Sequence, residues 1–359
     1  MKNKCISIII LTFNNLIYYK QCIQSILEQT YTEIEIIISD DCSDYFNENE
    51  ILDYFNENKK ANIKNIIISK NKTNLGIVKN YNKAISLSSG DYIFYLAIDD
   101  VLYDNKVLED VVKYFIGTGS LIFTGYKDVY DETMTKYIKT LPRPIEVEFL
   151  KKNNPEYLYE QLCKGSFISG SNTPFSRKLI ERYGYLDERY FYLEDYPRYL
   201  SLTKKGCNIS FYDRKLIKYR MGGVTTRGKL NCFLKRDLYL AAFNECKQYF
   251  LEIWDKEWLK KDKVIAWGTG DCFESSLKYI DFKIDYLVDT NERLQGSEIK
   301  NYKVFSPEIL KKEDKENIFI LVFSYANYFD IAATLNSFGF KEFCNYFVCT
   351  PNILEIVMR

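Results

Sequence analysis

The chain has 359 residues, 47% hydrophobic and 27% charged, which is enough to bury more than one core, and its formal net charge is zero. A balanced charge gives no global field for nucleic acid or anionic lipid, so any polyanion site is local. Histidine is absent and the ten cysteines form no Cys-x-x-Cys pair, which leaves base catalysis to a carboxylate, lysine, tyrosine or cysteine and argues against a zinc centre. Lys2 and Lys4 precede an apolar run, Cys5 to Leu11, that imitates a signal peptide. No small-residue cleavage site follows, and the run passes through Thr12-Phe13-Asn14-Asn15 into a helical pattern, so a first strand is expected at Ile6 to Leu11.

A helix that Asn14 or Asn15 can cap is expected next, with Leu16, Tyr19, Ile23, Ile26 and Leu27 on one face. Strand Ile34 to Ser39 ends at Asp40-Asp41-Cys42-Ser43-Asp44. A helix at Asn49 to Asn58, a strand at Ile63 to Ile68 and a helix through Val78 to Leu87 follow. The run Tyr92 to Ile98 suits a central parallel strand, and it stops at Asp99-Asp100. Alternation of this kind implies a parallel sheet with right-handed crossovers, whose polar strand ends converge on one edge. Paired carboxylates there suit a hard divalent cation, though an Asp-Asp loop after a core strand is also an ordinary solvated feature.

Ser-Ile-Ile-Ile-Leu-Thr-Phe-Asn-Asn at 7 to 15, Ile-Ile-Ser-Asp-Asp-Cys-Ser-Asp at 37 to 44, Asn-Leu-Gly at 74 to 76 and Leu-Ala-Ile-Asp-Asp at 96 to 100 resemble family 2 glycosyltransferases. Gly184-Tyr185-Leu186-Asp187-Glu188, then Glu194-Asp195 and Gly206, extend the resemblance over residues 5 to 222. It implies an α/β GT-A fold and an inverting transfer of a sugar from a nucleotide-diphosphate donor, a UDP-sugar, to a hydroxyl of a glycan or lipid-linked acceptor. Thr12, Phe13 and Asn14 would line the nucleoside pocket, Asp40 would accept from a uracil-like imide, and Asp41 would stand beside it. Asp100 would bind the divalent metal, manganese or magnesium, with Asp99 on ribose or a metal-bound water. Asp195 would be the general base and Glu194 its neighbour. Asn82 and Arg220 would complete the donor site. Ala97 stands where the family often has Asp, Tyr81 where it often has Arg, and no histidine follows Arg220-Met221-Gly222-Gly223, so the metal requirement stays open. Asp195 also opens the next helix, where an acidic residue is favoured electrostatically.

The stretch 103 to 192 should choose the acceptor, and it is dense in tyrosine, as at Tyr157, Tyr159, Tyr183, Tyr185, Tyr190 and Tyr192. Residues 228 to 261 read as amphipathic helix through Leu230, Phe233, Leu234, Leu238, Phe243, Phe250, Trp254 and Trp258. Packing between domains explains them, and peripheral membrane contact is the alternative. From Asp262 the alternation restarts: Val264 to Trp267, Gly268-Thr269-Gly270, Ile284 to Val288 with Asp289, a Ser306-Pro307 helix start, Ile318 to Phe323 and Phe343 to Val348. This resembles a Rossmann-like module, with Phe273 in place of the third glycine of a dinucleotide turn.

The expected organisation is therefore a transferase domain at 1–225, a helical linker at 226–261 and a Rossmann-like domain at 262–359. The expected setting is cytoplasmic, in assembly of a bacterial surface polysaccharide, with homo-oligomerisation open. A noncatalytic nucleotide- or glycan-binding scaffold and a C-terminal sugar oxidoreductase are the rivals.

Overall fold

The computed structural model describes residues 4–222 and 232–358. Its chain divides into two compact units, one of Met1–Tyr159 with Phe167–Leu238, the other of Glu160–Ser166 with Tyr239–Arg359. The expected boundary at 225/226, Gly223 and Leu230 lie outside the described residues.

The first unit begins with β1 (Ile6–Thr12), α1 (Tyr19–Leu27), β2 (Ile34–Asp40), α2 (Glu48–Asn58), β3 (Ile63–Lys70), α3 (Ile77–Leu87) and β4 (Tyr92–Tyr95). It continues through β5 (Val101–Leu102), α4 (Val107–Thr118), β6 (Phe123–Tyr130), β7 (Tyr137–Leu141), α5 (Pro144–Lys151) and the first half of α6 (Pro155–Lys164), whose residues from Glu160 on count with the second unit. The last elements are β8 (Phe175–Ser176), α7 (Arg177–Tyr183), α8 (Tyr196–Lys204), β9 (Ser210–Arg220) and α9 (Cys232–Ala241). The main sheet runs β3-β2-β1-β4-β8, with β8 antiparallel to β4 and the other pairs parallel. Every residue of β1 and β2 is buried, as a strand covered by helices on both faces requires. Ile8, Ile10, Ile23, Ile36, Phe55, Phe94, Leu108 and Phe115 belong to the same core. A second sheet, β5-β9-β6-β7, receives the chain directly after the Asp99-Asp100 turn.

Two local expectations are corrected. The first helix starts at Tyr19, with no side-chain cap, so neither Asn14 nor Asn15 caps it. Asn14 instead takes a left-handed φ of 49°, a conformation asparagine tolerates, and its amide bonds the next strand's loop. The strand expected to reach Ile98 ends at Tyr95, and only Leu96 N still donates to Ile9 O, at 2.9 Å.

In the second unit, α9 leads through a π-helical turn at 242–246 into α10 (Lys247–Ile253). Then come β10 (Lys263–Trp267), α11 (Asp271–Ser276), β11 (Tyr286–Val288), β12 (Glu298–Ile299), β13 (Tyr302–Phe305), β14 (Ile318–Val322), α12 (Tyr328–Ser337), β15 (Tyr346–Val348) and α13 (Pro351–Val357). The strands order β12-β13-β11-β10-β14-β15, all pairs parallel except β12 with β13. Aromatic residues of the amphipathic stretch pack inside this unit: Trp258 stacks on Phe319 at 4.7 Å, and Phe250 and Trp254 meet Phe347. Among the described residues no helix is long and apolar enough to cross a membrane.

Candidate active site

Strands β1, β2 and β4 deliver their carboxyl ends to one edge, where Thr12 pairs in register with Asp40. Here the two loops are stitched together. Asp41 N donates to Thr12 O at 2.9 Å, Asn14 N to Ser43 Oγ at 2.7 Å, and Asp44 N to Asn14 Oδ1 at 2.9 Å. Asp40 is fully buried, and its carboxylate accepts from Ser43 N at 2.8 Å and Ser43 Oγ at 2.5 Å. Asp41 accepts from Asn71 Nδ2 at 2.9 Å and from Leu75 N and Gly76 N, both at 2.8 Å, so it shapes the turn that starts α3. Phe13 presents an apolar face here, being 45% exposed. Asn82 lies further along α3, where its amide exchanges bonds with Leu186 and donates to Glu188, holding the 184–188 turn rather than the strand edge.

The carboxylate pair after β4 is asymmetric. Asp99 is half-buried, whereas Asp100 is wholly buried. Asp100 Oδ1 accepts from Arg220 N at 2.8 Å, while its Oδ2 has no partner. Burial, and then the Asp99 charge, push the Asp100 carboxyl well above the usual carboxylate range. Arg220 supports this turn from beneath. Its guanidinium donates to Asp99 O at 2.9 Å, Glu132 O at 2.6 Å and Gln21 Oε1 at 2.6 Å, and it lies 3.7 Å from the centre of the Tyr18 ring. A guanidinium bonded on all three nitrogens positions the Asp99-Asp100 turn.

Glu194 and Asp195 stand at the start of α8. Asp195 caps the helix, with Oδ1 accepting from Tyr196 N at 2.6 Å, and its Oδ2 accepts from Gly170 N at 3.1 Å. Burial raises both acids, the charge of Asp195 adding to the effect on Glu194, while the two backbone N–H groups favour the ionised form of Asp195. A Cβ on Gly170 would come 3.0 Å from Glu194 Oε1, so a larger residue there would crowd the Glu194 carboxylate.

The residue the motifs did not reveal is Lys127. It is 8% exposed in β6, donates to Ser169 Oγ at 2.7 Å, and lies 4.3 Å over the Tyr219 ring. Its charge acts on Asp100, Glu194 and Asp195 alike, lowering all three, while burial lowers its own pKa against their pull. One buried cation therefore serves both carboxylate groups, and Tyr95 feels the charges of both as well. In the sequence Lys127 opens a polar, proline-bearing stretch that reads as loop, whereas β6 runs on through it to Tyr130. The only sequence signal was a lysine continuing the strand's alternation.

Among the described residues no cluster of three or more His, Cys, Asp or Glu side chains forms a metal cage. A cation held by one or two carboxylates and a diphosphate needs no such cage, and the orphaned buried oxygen of Asp100 fits that role. In the second unit, Asp289 accepts from Thr269 N at 3.1 Å, Thr269 Oγ1 at 2.7 Å and Asn291 N at 2.9 Å. Asp289 thus ties its loop to the turn after β10 with the protein's own donors.

The fold is that of the GT-A glycosyltransferases. TarS of S. aureus in complex with UDP-GlcNAc superimposes with a TM-score of 0.50 at 19% identity, covering 69% of this chain and 66% of that one. The match to Glycosyl transferase family 2 spans residues 7–184, and this part of the chain belongs to that family. A second model, C2185-like, N-terminal, matches residues 260–343. An uncharacterized glycosyltransferase of Haemophilus influenzae is 27% identical over 63% of this chain and 68% of its own length. Amylovoran biosynthesis glycosyltransferase AmsB of Erwinia amylovora is 25% identical over 62% and 71% respectively.

Proposed function

We propose that the chain is an inverting, metal-assisted transferase that moves a sugar from a nucleoside-diphosphate donor to an acceptor hydroxyl during polysaccharide synthesis. The observation that carries this is that two carboxylate groups, Asp99-Asp100 and Glu194-Asp195, share the charge of the buried Lys127, with Arg220 bonded to the first of them. The base and ribose of the donor lie along Thr12, Phe13, Asn14, Asp40 and Asp41 at the sheet edge. A divalent ion held by Asp100 and Asp99 would offset the negative charge that develops on the diphosphate leaving group.

Asp195 takes the acceptor hydroxyl proton as the new glycosidic bond forms and the sugar–phosphate bond breaks on the opposite face. Its bonds from Tyr196 N and Gly170 N hold the carboxylate in one orientation. The UDP-GlcNAc bound by TarS makes UDP-sugars the first probes, and the amylovoran role printed for AmsB supports a polysaccharide acceptor, free or lipid-linked.

The test measures melting temperature with UDP, GDP, CDP, dTDP and NAD, with and without manganese. Selective stabilisation by one nucleoside diphosphate, larger with the metal, is expected. Flat responses to every nucleotide would sink the reading in favour of a scaffold, and a response to NAD alone would move the activity to the second unit.

A further inference from the structure

We propose that Asp237, on α9, is the positioning residue that sets the catalytic loop, holding the three peptides before Glu194 so that Asp195 meets the acceptor hydroxyl. The proposal deepens the reading of Asp195 as base and rests on it.

Asp237 is fully buried, yet the cation nearest it on the helix, Arg236, reaches only to 3.5 Å of Oδ1. Its charge is answered by backbone. Oδ2 accepts from Phe191 N at 2.7 Å, Tyr192 N at 2.6 Å and Leu193 N at 3.2 Å, three successive donors converging on one oxygen. Consecutive N–H groups turned to one side make an anion-binding concavity, and here the anion is supplied by the chain itself. The orientation of these three peptides fixes the direction in which the chain enters Glu194.

The same helix face holds the loop a second time. Phe233, one turn before Asp237, stacks on Phe191 with ring centres 5.0 Å apart and planes at 26°. Phe191 is in turn held from the donor side. A Cβ on Gly76 would come 2.6 Å from its ring, and Phe191 O accepts from Val78 N at 3.3 Å. Gly76 N is one of the donors to Asp41. The loop ahead of the base therefore lies between the turn that Asp41 organises and the Asp237–Phe233 face of α9. Arg236 adds a bond to Arg189 O at 3.4 Å.

The experiment compares Asp237→Ala, Asp237→Asn and Asp195→Asn in the full-length chain, reading kcat, donor KM, the melting shift with UDP and manganese, and amide exchange at 191–193. We expect Asp237→Ala to lower kcat at least tenfold with donor KM and the UDP shift retained, and exchange at 191–193 to accelerate. Asp237→Asn, whose amide oxygen still accepts, should recover part of kcat. Unchanged kcat in both Asp237 variants while Asp195→Asn is inactive would overturn the positioning role. A fall of kcat, UDP shift and melting temperature together, without recovery in the isosteric Asn variant, would overturn it too, leaving a fold-stabilising contact. Full activity in Asp195→Asn would instead overturn the reading on which the proposal rests.

Discussion

The two units of this chain solve the same architectural problem and leave their strand ends in opposite states. Each has a mainly parallel sheet with acidic residues where central strands stop. In the second unit Asp289 has Thr269 N, Thr269 Oγ1 and Asn291 N as donors, and Gly268 lies at a φ of 105° against Phe323 O, where a Cβ would come within 3.0 Å. In the first unit Asp100 keeps one buried oxygen without a partner, and Glu194 and Asp195 lie half-buried side by side. Like charges in a low-dielectric setting are unfavourable, and they persist where something outside the protein completes them. Chemistry is thus marked by what the fold leaves unfinished, not by the parallel sheet itself.

The sharpest way to break this contrast is to remove the base. Asp195→Asn preserves the helix cap shape and removes the proton acceptor, so kcat should fall by about 10²–10⁴-fold. The nucleotide-dependent melting shift should survive. Retained turnover would show that the unfinished edge of the first unit is not where the proton goes.

Lys127 tests whether the two carboxylate groups behave as one electrostatic unit. Burial raises Glu194 and Asp195, and Lys127 lowers them. A base must be unprotonated to work, so activity should fall on the acid side with a limb above the ordinary carboxylate range. Lys127→Met removes the lowering charge. The limb should then move to higher pH, cutting kcat on the acid limb by about tenfold for a one-unit displacement and leaving it unchanged on the alkaline side. A limb that stays in place while kcat falls uniformly would separate Lys127 from the base and tie it to folding or donor binding.

Why Asp99-Asp100 and Glu194-Asp195 were legible, while Lys127 and Asp237 were not, follows from how each acquires its role. The acid pairs are contiguous and sit at the end of an apolar run and the start of a helix, features that a local pattern carries. Lys127 matters because β6 and the 169–170 segment meet near the strand edge, and Asp237 because α9 folds back on the loop at 191–193. No local spacing encodes either meeting. Asn14 illustrates the same limit from the other side. Its propensity to cap a helix is real, but a bond to Asp44 N across the two loops wins. Arg220 was placed at the site by motif, whereas its partners Gln21, Asp99 and Glu132 come from tertiary structure.

The smallest expected effect on catalysis sharpens the comparison from the second unit. Asp289→Asn replaces a charged acceptor with an amide that can accept on one side only, so the bonds from Thr269 or from Asn291 weaken. Hydrogen bonds to charged groups contribute about 1.5–3 kcal/mol, so the melting temperature should drop while kcat stays unchanged. If Asp289 instead served a nucleotide ribose, the substitution would abolish an NAD-dependent melting shift and leave the ligand-free transition nearly in place. The two outcomes differ for the apo protein, whose transition falls in the first and stays in place in the second. A carboxylate engaged by the protein's own donors is missed when the ligand is absent, whereas one waiting for a ligand is missed only when the ligand is present.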